Sequence, residues 1–256
     1  MKVLVTANQK GGVGKTSTVV HLAFDFAERG KKVAVIDLDT QGNASFTLRP
    51  YATGLAASEL WQDVPESRLN QCMPSENDRH IYLVESDQKL ADVEKLDRDT
   101  IIGNFKRNMD RLAQQGFDVC LIDTAPTLSV ALIGALVSAD YVLSPIEMEV
   151  YSIQGISQML KTVEQVRRRM NNKLKFMGMV PSKVDGRNPR HKVHLQELQN
   201  AYPQMMIPVS IGLRSSIADA LASSVPVWQI RKTAARAATR EMRALAEHVY
   251  ARMEIA

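Results

Sequence analysis

A short apolar run leads directly into a glycine-rich stretch near the start of the 256-residue chain. Residues 3–7 read VLVTA, and residues 8–17 read NQKGGVGKTS. Three glycines within four positions fit neither a strand nor a helix, because glycine weakens both and favours tight turns. Apolar side chains then recur at helical spacing, which predicts a helix over residues 15–29. The chain must therefore fold here as a strand, a tight loop and a helix.

The alternation of apolar runs and helical patterns continues along the chain. Strands are predicted over residues 32–39, 81–86, 117–123, 140–146 and 174–180, and helices over 88–96, 100–115, 128–137, 152–170, 190–200, 214–222 and 233–253. This order predicts an α/β fold with a doubly wound, mostly parallel sheet flanked by helices. Residues 50–80 contain three prolines and are predicted to be irregular. No linker interrupts the pattern, so we expect one domain over residues 1–256.

The glycine-rich loop has the residue types of a phosphate-binding loop. Gly11, Gly12 and Gly14 allow successive backbone N–H groups to face an anion at the start of a helix. In such a loop Lys15 reaches the β- and γ-phosphates of a nucleotide, and the Thr16 hydroxyl binds Mg²⁺. The strand before the loop and the helix after it favour this interpretation over a simple glycine-rich turn.

The loop departs from the usual pattern at its first position. That pattern asks for Gly, four residues and then Gly-Lys-Ser/Thr, which would place a glycine where this chain has Gln9. Gln9 is followed by a second lysine, Lys10, so the rim of the loop carries an additional cation.

Acidic residues end two of the predicted strands. Asp37 and Asp39 close the run KVAVIDLD, and Asp123 closes FDVCLID. Open α/β sheets bind ligands at the carboxyl ends of their strands, and an acid ending a buried strand is typical of a Mg²⁺ partner. Asp37 and Asp39 are separated by one residue, and we expect that one of them can face the site while the other packs elsewhere. The predicted contacts to ATP or ADP within the chain are Gly11, Gly12, Val13, Gly14, Lys15, Thr16, Ser17 and Asp123, and the predicted Mg²⁺ ligands are Thr16, Asp39 and Asp123.

Charge is distributed unevenly between the two parts of the chain. Residues 1–150 carry 15 Lys or Arg against 21 Asp or Glu, a net charge of −6, whereas residues 151–256 carry 17 against 7, a net charge of +10. A basic half is typical of a surface for phosphate polymers or anionic lipid, although a balance of charge for solubility also explains it. The two cysteines, Cys72 and Cys120, have no metal-ligand spacing, which fits a reducing cytoplasm.

The motifs resemble those of ParA-type partition ATPases, and most of all the plasmid-borne IncC type. KGGVGKT, DLDTQGN and DVCLIDTAPT are similar to the deviant Walker A, Walker A′ and Walker B motifs of that family. The resemblance continues through SPIEMEVYSIQGI and LRSSIADALASSVPVW, and so covers essentially the whole chain. The chain begins directly at its first strand, so we expect neither a signal peptide nor the helix-turn-helix extension of self-repressing relatives.

The resemblance implies roles for individual residues. Lys10 would reach the ATP phosphates of a partner subunit in a nucleotide-sandwiched dimer, and Asp39 would position the attacking water. Lys10, Lys15 and Asp39 are therefore the expected catalytic residues. The family often has proline after that acid, where this chain has Thr40. The expected protein is a cytoplasmic, nucleoid-associated Mg²⁺-dependent ATPase for plasmid segregation, slow alone and stimulated by a ParB-type centromere-binding protein.

Basic residues of the second half are candidates for binding DNA without sequence preference. In the last helix the apolar stripe over Ala238, Met242, Leu245, Val249 and Met253 is expected to pack on the core. Lys232, Arg236, Arg240 and Arg243 are expected on the opposite, outward face. A solvated charged face explains this spacing equally well. The predicted DNA contacts are Arg187, Arg190, Lys192, Arg214, Arg231, Lys232, Arg236 and Arg240.

Two other interpretations stay open from the sequence. A membrane-positioning ATPase similar to MinD shares the three motifs, but the tail LAEHVYARMEIA has few basic residues and does not favour an amphipathic membrane helix. We therefore expect no membrane partner. The second is a nucleotide-gated binding module with almost no turnover.

Overall fold

A seven-stranded, all-parallel sheet organises the chain. The computed structural model describes residues 1–70, 80–149 and 152–255, with the backbone alone for 152–154. The strands are β1 (Lys2–Thr6), β2 (Val33–Leu38), β3 (Ala52–Ala56), β4 (Ile81–Glu85), β5 (Val119–Thr124), β6 (Tyr141–Glu147) and β7 (Lys175–Ser182). They lie in the order β3-β4-β2-β5-β1-β6-β7, with every paired strand parallel. This confirms the predicted fold class.

Helices connect the strands and cover both faces of the sheet. They are α1 (Lys15–Glu28), α2 (Asn43–Leu48), α3 (Glu66–Leu69), α4 (Leu90–Val93), α5 (Arg98–Ala113), α6 (Val130–Ser138), α7 (Ser152–Arg169), α8 (Pro189–Ala201), α9 (Ser215–Ala222) and α10 (Ala235–Met253). Within the described ranges, no helix combines the length and apolar character needed to cross a membrane.

Two large apolar clusters fill most of the space between helices and sheet, and a smaller third one lies among β6, β7, α7 and α8. Every residue of β2 is buried, as expected for a parallel strand covered on both faces. Successive side chains of a strand point to opposite faces, so Ala34 and Ile36 belong to one cluster with α5 and α6. Val33 and Val35 belong to the other, with α1 and α10. The predicted apolar stripe of the last helix is buried throughout, which confirms its contact with the core.

The region predicted to be irregular contains an additional strand. β3 lies at the edge of the sheet, and it pairs only with β4 and with a shift in register. Its sequence ATGLA has one buried side chain, so it lacks the apolar run that identified the other strands. The helix predicted over residues 88–96 is shorter than expected, since α4 spans only Leu90–Val93. Cys72 and Pro74 lie outside the described residues.

The central strands bring the sequence motifs together. β1 pairs with β5 so that Thr6 lies opposite Asp123, and β2 pairs with β5 so that Asp37 lies opposite Asp123. The glycine-rich loop leaves the carboxyl end of β1, and the acidic segments leave the adjacent ends of β2 and β5. Parallel pairing therefore places all three motifs at one edge of the sheet.

Candidate nucleotide site and a basic cavity

The loop between β1 and α1 requires glycine for its conformation. Gly12 and Gly14 have φ angles of 75° and 95°, in the left-handed region that favours glycine. A Cβ atom on Gly14 would lie 2.8 Å from the Ser182 hydroxyl oxygen, so the loop is also too closely packed there for a side chain. The result is a backbone cradle at the N-terminus of α1, where N–H groups and the helix dipole favour an anion.

Lys15 and Thr16 lie at the base of this cradle. Lys15 is 6% exposed, and its Nζ donates a hydrogen bond of 3.2 Å to the carbonyl oxygen of Lys10. Burial lowers the pKa of Lys15, and the carboxyl groups of Asp123 and Asp39 oppose that shift. The Thr16 hydroxyl donates a 2.6 Å hydrogen bond to Oδ2 of Asp123. A buried cation and a hydroxyl–carboxylate pair thus lie directly beneath the anion cradle.

The three acids have different environments. Asp123 is fully buried, and this burial raises its pKa well above the usual range. Burial also raises the pKa of Asp37, whose Oδ2 accepts hydrogen bonds from the backbone and the hydroxyl of Ser45 at 2.8 and 2.7 Å. Asp39 lines the cavity and accepts one hydrogen bond of 3.0 Å from the backbone of Gln41. Of the acid pair, Asp39 therefore faces the cavity, and Asp37 anchors the segment that follows it.

The donor set fits Mg²⁺ with a nucleotide better than a metal bound by protein alone. In the described part of the chain, no group of three or more His, Cys, Asp or Glu side chains is arranged to hold a metal ion. Mg²⁺ typically takes one or two protein ligands and completes its shell with phosphate oxygens and water. Thr16 and Asp123, joined by their hydrogen bond, are suited to that sparse role.

A cavity of about 820 Å³ opens above the loop. Of the predicted residues, Gly11, Gly12, Gly14, Lys15, Thr16, Ser17 and Asp39 line it. Val13 and Asp123 are buried and do not line it. A cavity this large has room for a nucleoside as well as its phosphates.

A further part of the cavity lining was missed by sequence reasoning. It consists of Ser182 and Lys183 after β7 and of an apolar set from Ile211 to Ala222, with Phe46 and Leu213 more than half exposed. The available signal was topological, because segments that follow parallel strands end at the same edge of the sheet.

Lys10 lies outside the lining of this cavity. Its Nζ contacts Glu147 at 2.7 Å and Glu149 at 2.6 Å, both at the carboxyl end of β6. A contact with a partner's nucleotide requires that these two ion pairs be replaced, and the in-trans role stays a prediction.

A second cavity, of about 560 Å³, is lined by basic residues near the start of α10. Its lining includes Arg231, Lys232, Arg236 and Arg240, half of the predicted DNA contacts, together with Trp228. Lys232 pairs with Asp219 at 2.7 Å. Arg231, Arg236 and Arg240 form no ion pair with any described residue, so their charge is available to an anion.

The remaining predicted DNA contacts do not line this cavity. Arg214 lines the nucleotide cavity, and its guanidinium binds Glu241 at 3.0 Å. Arg187, Arg190 and Lys192 lie exposed around the start of α8, where Arg187 pairs with Asp185 at 3.2 Å. The eight residues therefore belong to at least three places on the molecule.

The expectation that Arg243 faces outward was wrong. Its guanidinium forms ion pairs with Asp25 and Glu28 of α1 and lies 3.6 Å from the ring centre of Trp228. Asp25 is fully buried and needs a cationic partner, so the long arginine side chain turns toward the core. Lys232 precedes α10 and is not on its helical face.

One face of α1 connects the two cavities. Ser17 lines the nucleotide cavity, and its carbonyl oxygen lies 2.7 Å from Nδ1 of His21. Nε2 of His21 accepts a hydrogen bond of 3.2 Å from the backbone of Val227, beside Trp228 in the basic cavity. Burial lowers the pKa of His21 to about 4, so the ring is neutral with its proton on Nδ1.

The fold and the first cavity define a P-loop nucleotide-binding protein of the deviant Walker A class. A family model described as an AAA domain matches residues 1–176. The whole chain is 62% identical to Protein IncC of Escherichia coli, of which it covers 71%. It is 31% identical to the chromosome-partitioning ATPase Soj of Thermus thermophilus, over 98% of this chain and 96% of that protein. The chain belongs to the ParA family of partition ATPases.

Solved structures of similar fold contain nucleotides. The ATP complex of Cyanothece McdA has a TM-score of 0.83 at 23% identity, over 97% of this chain and 96% of that chain. Cobyrinic acid a,c-diamide synthase from Mycobacterium smegmatis, with a bound ATP analogue and magnesium, has a TM-score of 0.73 at 28% identity, over 97% and 96%.

Proposed function

We propose that this protein is a Mg²⁺-dependent ATPase that acts as a nucleotide switch in plasmid segregation. The observation that carries the proposal is the hydrogen bond between Thr16 and Asp123 beneath a glycine cradle that a Cβ atom would fill. The resemblance of the motifs to those of plasmid-borne partition ATPases, together with the 62% identity to Protein IncC, favours a plasmid rather than a chromosome as the cargo.

The residues of the cavity would have different roles in ATP hydrolysis. Lys15 would neutralise the phosphate chain, and Thr16 and Asp123 would hold Mg²⁺, which supplies further positive charge at the phosphate oxygens. Asp39, the acid that faces the cavity, would orient the attacking water, and we also retain it as a candidate metal ligand. Hydrolysis is slow in the protein alone, because one chain lacks the second lysine that Lys10 of another copy would supply.

ATP would join two subunits face to face across this cavity. Lys10 lies on the rim of the loop, and its side chain is partly exposed. Its Nζ contacts Glu147 and Glu149, and it can exchange these carboxylates for the phosphates of a partner's nucleotide. The exposed Phe46 and Leu213 at the same cavity form apolar surface that such a dimer would cover.

The ATP-bound dimer would bind DNA without sequence preference. The basic cavity supports this, since Arg231, Arg236 and Arg240 form no ion pair with the residues that the structure describes, and their guanidinium groups are suited to phosphates. A ParB-type centromere-binding protein would then stimulate hydrolysis and release the dimer. Such a switch would act in the cytoplasm, on the nucleoid.

Retention on DNA tests this function directly. The purified protein is mixed with immobilised DNA of unrelated sequence, or with vesicles of anionic lipid, each with Mg²⁺ and ATP, ADP or no nucleotide. We expect retention on DNA with ATP alone, and phosphate release that increases when the partner is added. ATP-dependent binding to vesicles without binding to DNA would instead support a membrane-positioning ATPase similar to MinD. Equal binding to DNA with ATP, with ADP and without nucleotide would contradict the proposed role as a nucleotide switch.

A further inference from the structure

Lys183 is a cation of the nucleotide cavity to which the three motifs assign no role. It directly follows Ser182, the last residue of β7, and lines the cavity. Its Nζ lies 3.7 Å from the position that a Cβ atom would take on Gly12. The ammonium group therefore lies beside the part of the loop whose backbone N–H groups would surround phosphate oxygens.

The backbone of Lys183 has a conformation that lysine rarely adopts. Its φ is 53°, and among the described residues that line the cavity it is the one non-glycine residue with a positive φ. Both neighbours are held in place, since Ser182 pairs with Glu147 in the sheet and the Val184 N–H donates to the carbonyl oxygen of Ile211 at 3.0 Å. Unfavourable backbone conformations persist where the surrounding structure imposes them, and they cluster at functional sites.

The present partner of Lys183 is a weak one. Its Nζ lies 3.5 Å from Oε1 of Glu147, whereas charge-assisted hydrogen bonds are typically about 2.7–2.9 Å long. Glu147 makes its shorter contact, 2.7 Å, with Lys10. The Lys183 side chain is 44% exposed, so its ammonium group has room to rotate toward the cradle. A phosphate in the cradle would offer it a closer and more highly charged partner.

We propose that Lys183 is a nucleotide-binding residue whose ammonium group leaves Glu147 and binds the α- or β-phosphate of the bound nucleotide. This inference rests on the proposed function of the cavity as a nucleotide site. Lys15 approaches from the base of the cradle, and Lys183 approaches from the end of β7, so together they place positive charge on two sides of the phosphate chain. ATP and ADP share these two phosphates, and both should depend on Lys183 equally.

Titration calorimetry with ATP and with ADP, in Mg²⁺ buffer, tests the proposal on the full chain. Lys183→Asn removes the charge and keeps a residue that tolerates a left-handed backbone, and Lys183→Gly removes the charge and the strain together. We expect both variants to bind each nucleotide about tenfold more weakly, the loss of one charge-assisted hydrogen bond. Lys183→Arg should recover most of the affinity, and Lys173→Asn, at an exposed lysine elsewhere, should change nothing.

The comparison of variants separates the possible failures. Affinity within twofold of wild type in both Lys183→Asn and Lys183→Gly would overturn the inference. Weaker binding in Lys183→Asn with normal binding in Lys183→Gly would also overturn it, because the backbone and not the charge would then be responsible. If wild type binds neither nucleotide, the proposed function of the cavity fails first. If wild type binds and Lys15→Ala does not, the cavity is confirmed and only Lys183 is in question.

Glu147 offers an independent measurement. Removal of its charge in Glu147→Gln takes away the resting partner of Lys183, so ADP should bind about two- to threefold more tightly. The same change in a Lys183→Asn background should have no such effect. An equal gain in both backgrounds would assign the effect to Lys10 and contradict the exchange of partners at Lys183.

Discussion

The two cavities differ in how the chain builds them. The nucleotide cavity collects residues from the loop after β1, the segments after β2 and β7, and helix α9, which lie far apart in sequence. The basic cavity is lined by one continuous stretch, from Trp228 to Arg240. The first depends on the register of parallel strands, and the second on local helix geometry. A mutation that perturbs the sheet should therefore affect the first cavity much more than the second.

They also differ in how their charges are compensated. Lys15 is buried among acids, and Lys10 and Lys183 share Glu147. Ion pairs are absent from Arg231, Arg236 and Arg240 within the described structure. Buried, compensated charge gives affinity that salt changes little, whereas exposed, uncompensated charge gives binding that salt weakens strongly. The two predicted ligands should thus be distinguishable by salt alone.

The largest expected effect separates the two lysines of the loop. Lys15→Ala should abolish measurable ATP binding, because the phosphates lose the buried cation beneath the cradle. Lys10→Ala should keep ATP binding and lose ATP-dependent dimerisation and turnover, since its Nζ lies outside the cavity lining. Calorimetry and light scattering with ATP measure the two properties. An equal loss of ATP affinity in both variants would contradict the in-trans assignment.

The next effect separates the two acids after β2. Asp39→Ala should slow partner-stimulated hydrolysis on the order of 10³-fold and leave an ATP-bound dimer on DNA. Asp37 bonds to Ser45 instead of facing the cavity, so Asp37→Asn should lower stability more than the rate constant of a bound dimer. Single-turnover phosphate release measures that rate constant. Normal turnover in Asp39→Ala would mean that a different group orients the water.

The free energy of unfolding of the protein should depend on pH through His21, which lies on the helix that joins the cavities. The pKa of His21 is about 4 in the folded protein, below its ordinary value of 6.5, so between these values the unfolded state binds more protons. Stability is complete above pH 6.5 and falls as the pH decreases, by roughly 2 kcal/mol at pH 5. Urea unfolding measures the free energy of unfolding at pH 7 and at pH 5. The difference between these two values should be smaller in His21→Gln than in the wild type. An unchanged difference in that variant would show that other groups cause it.

The smallest expected effect concerns the basic cavity. Arg236→Ala and Arg240→Ala should each weaken DNA binding in the ATP state by about tenfold on all sequences alike, and each should lower the slope of log affinity against log salt by about one. ATP binding should be unchanged in both, since neither residue lines the nucleotide cavity. Arg243→Ala is not suitable for this test, because it would remove an ion-pair partner of the buried Asp25 and so lower the stability of the protein. If the variant with both Arg236→Ala and Arg240→Ala binds DNA as tightly as the wild type, the basic cavity is not the DNA surface. Arg187, Arg190 and Lys192 would then be the candidates.

Local patterns were sufficient to predict most of the fold. Buried strands such as VAVIDL are apolar throughout, and the helices between them repeat with the period of an amphipathic helix. The edge strand Ala52–Ala56 could not be predicted in this way, because it pairs on one side only and buries a single side chain. Its existence depends on the adjacent β4 rather than on its own residues.

The sequence by itself determined the glycine cradle, the order of the motifs and the class of protein, because these depend on residue types at short spacing. Only the tertiary structure decided which residues meet across the sheet. It placed Lys183 beside Gly12, gave Lys10 two carboxylate partners, and turned Arg243 onto Asp25. Each of these contacts joins segments far apart in the chain, and their geometry is set by strand register and by the need of buried charges for partners.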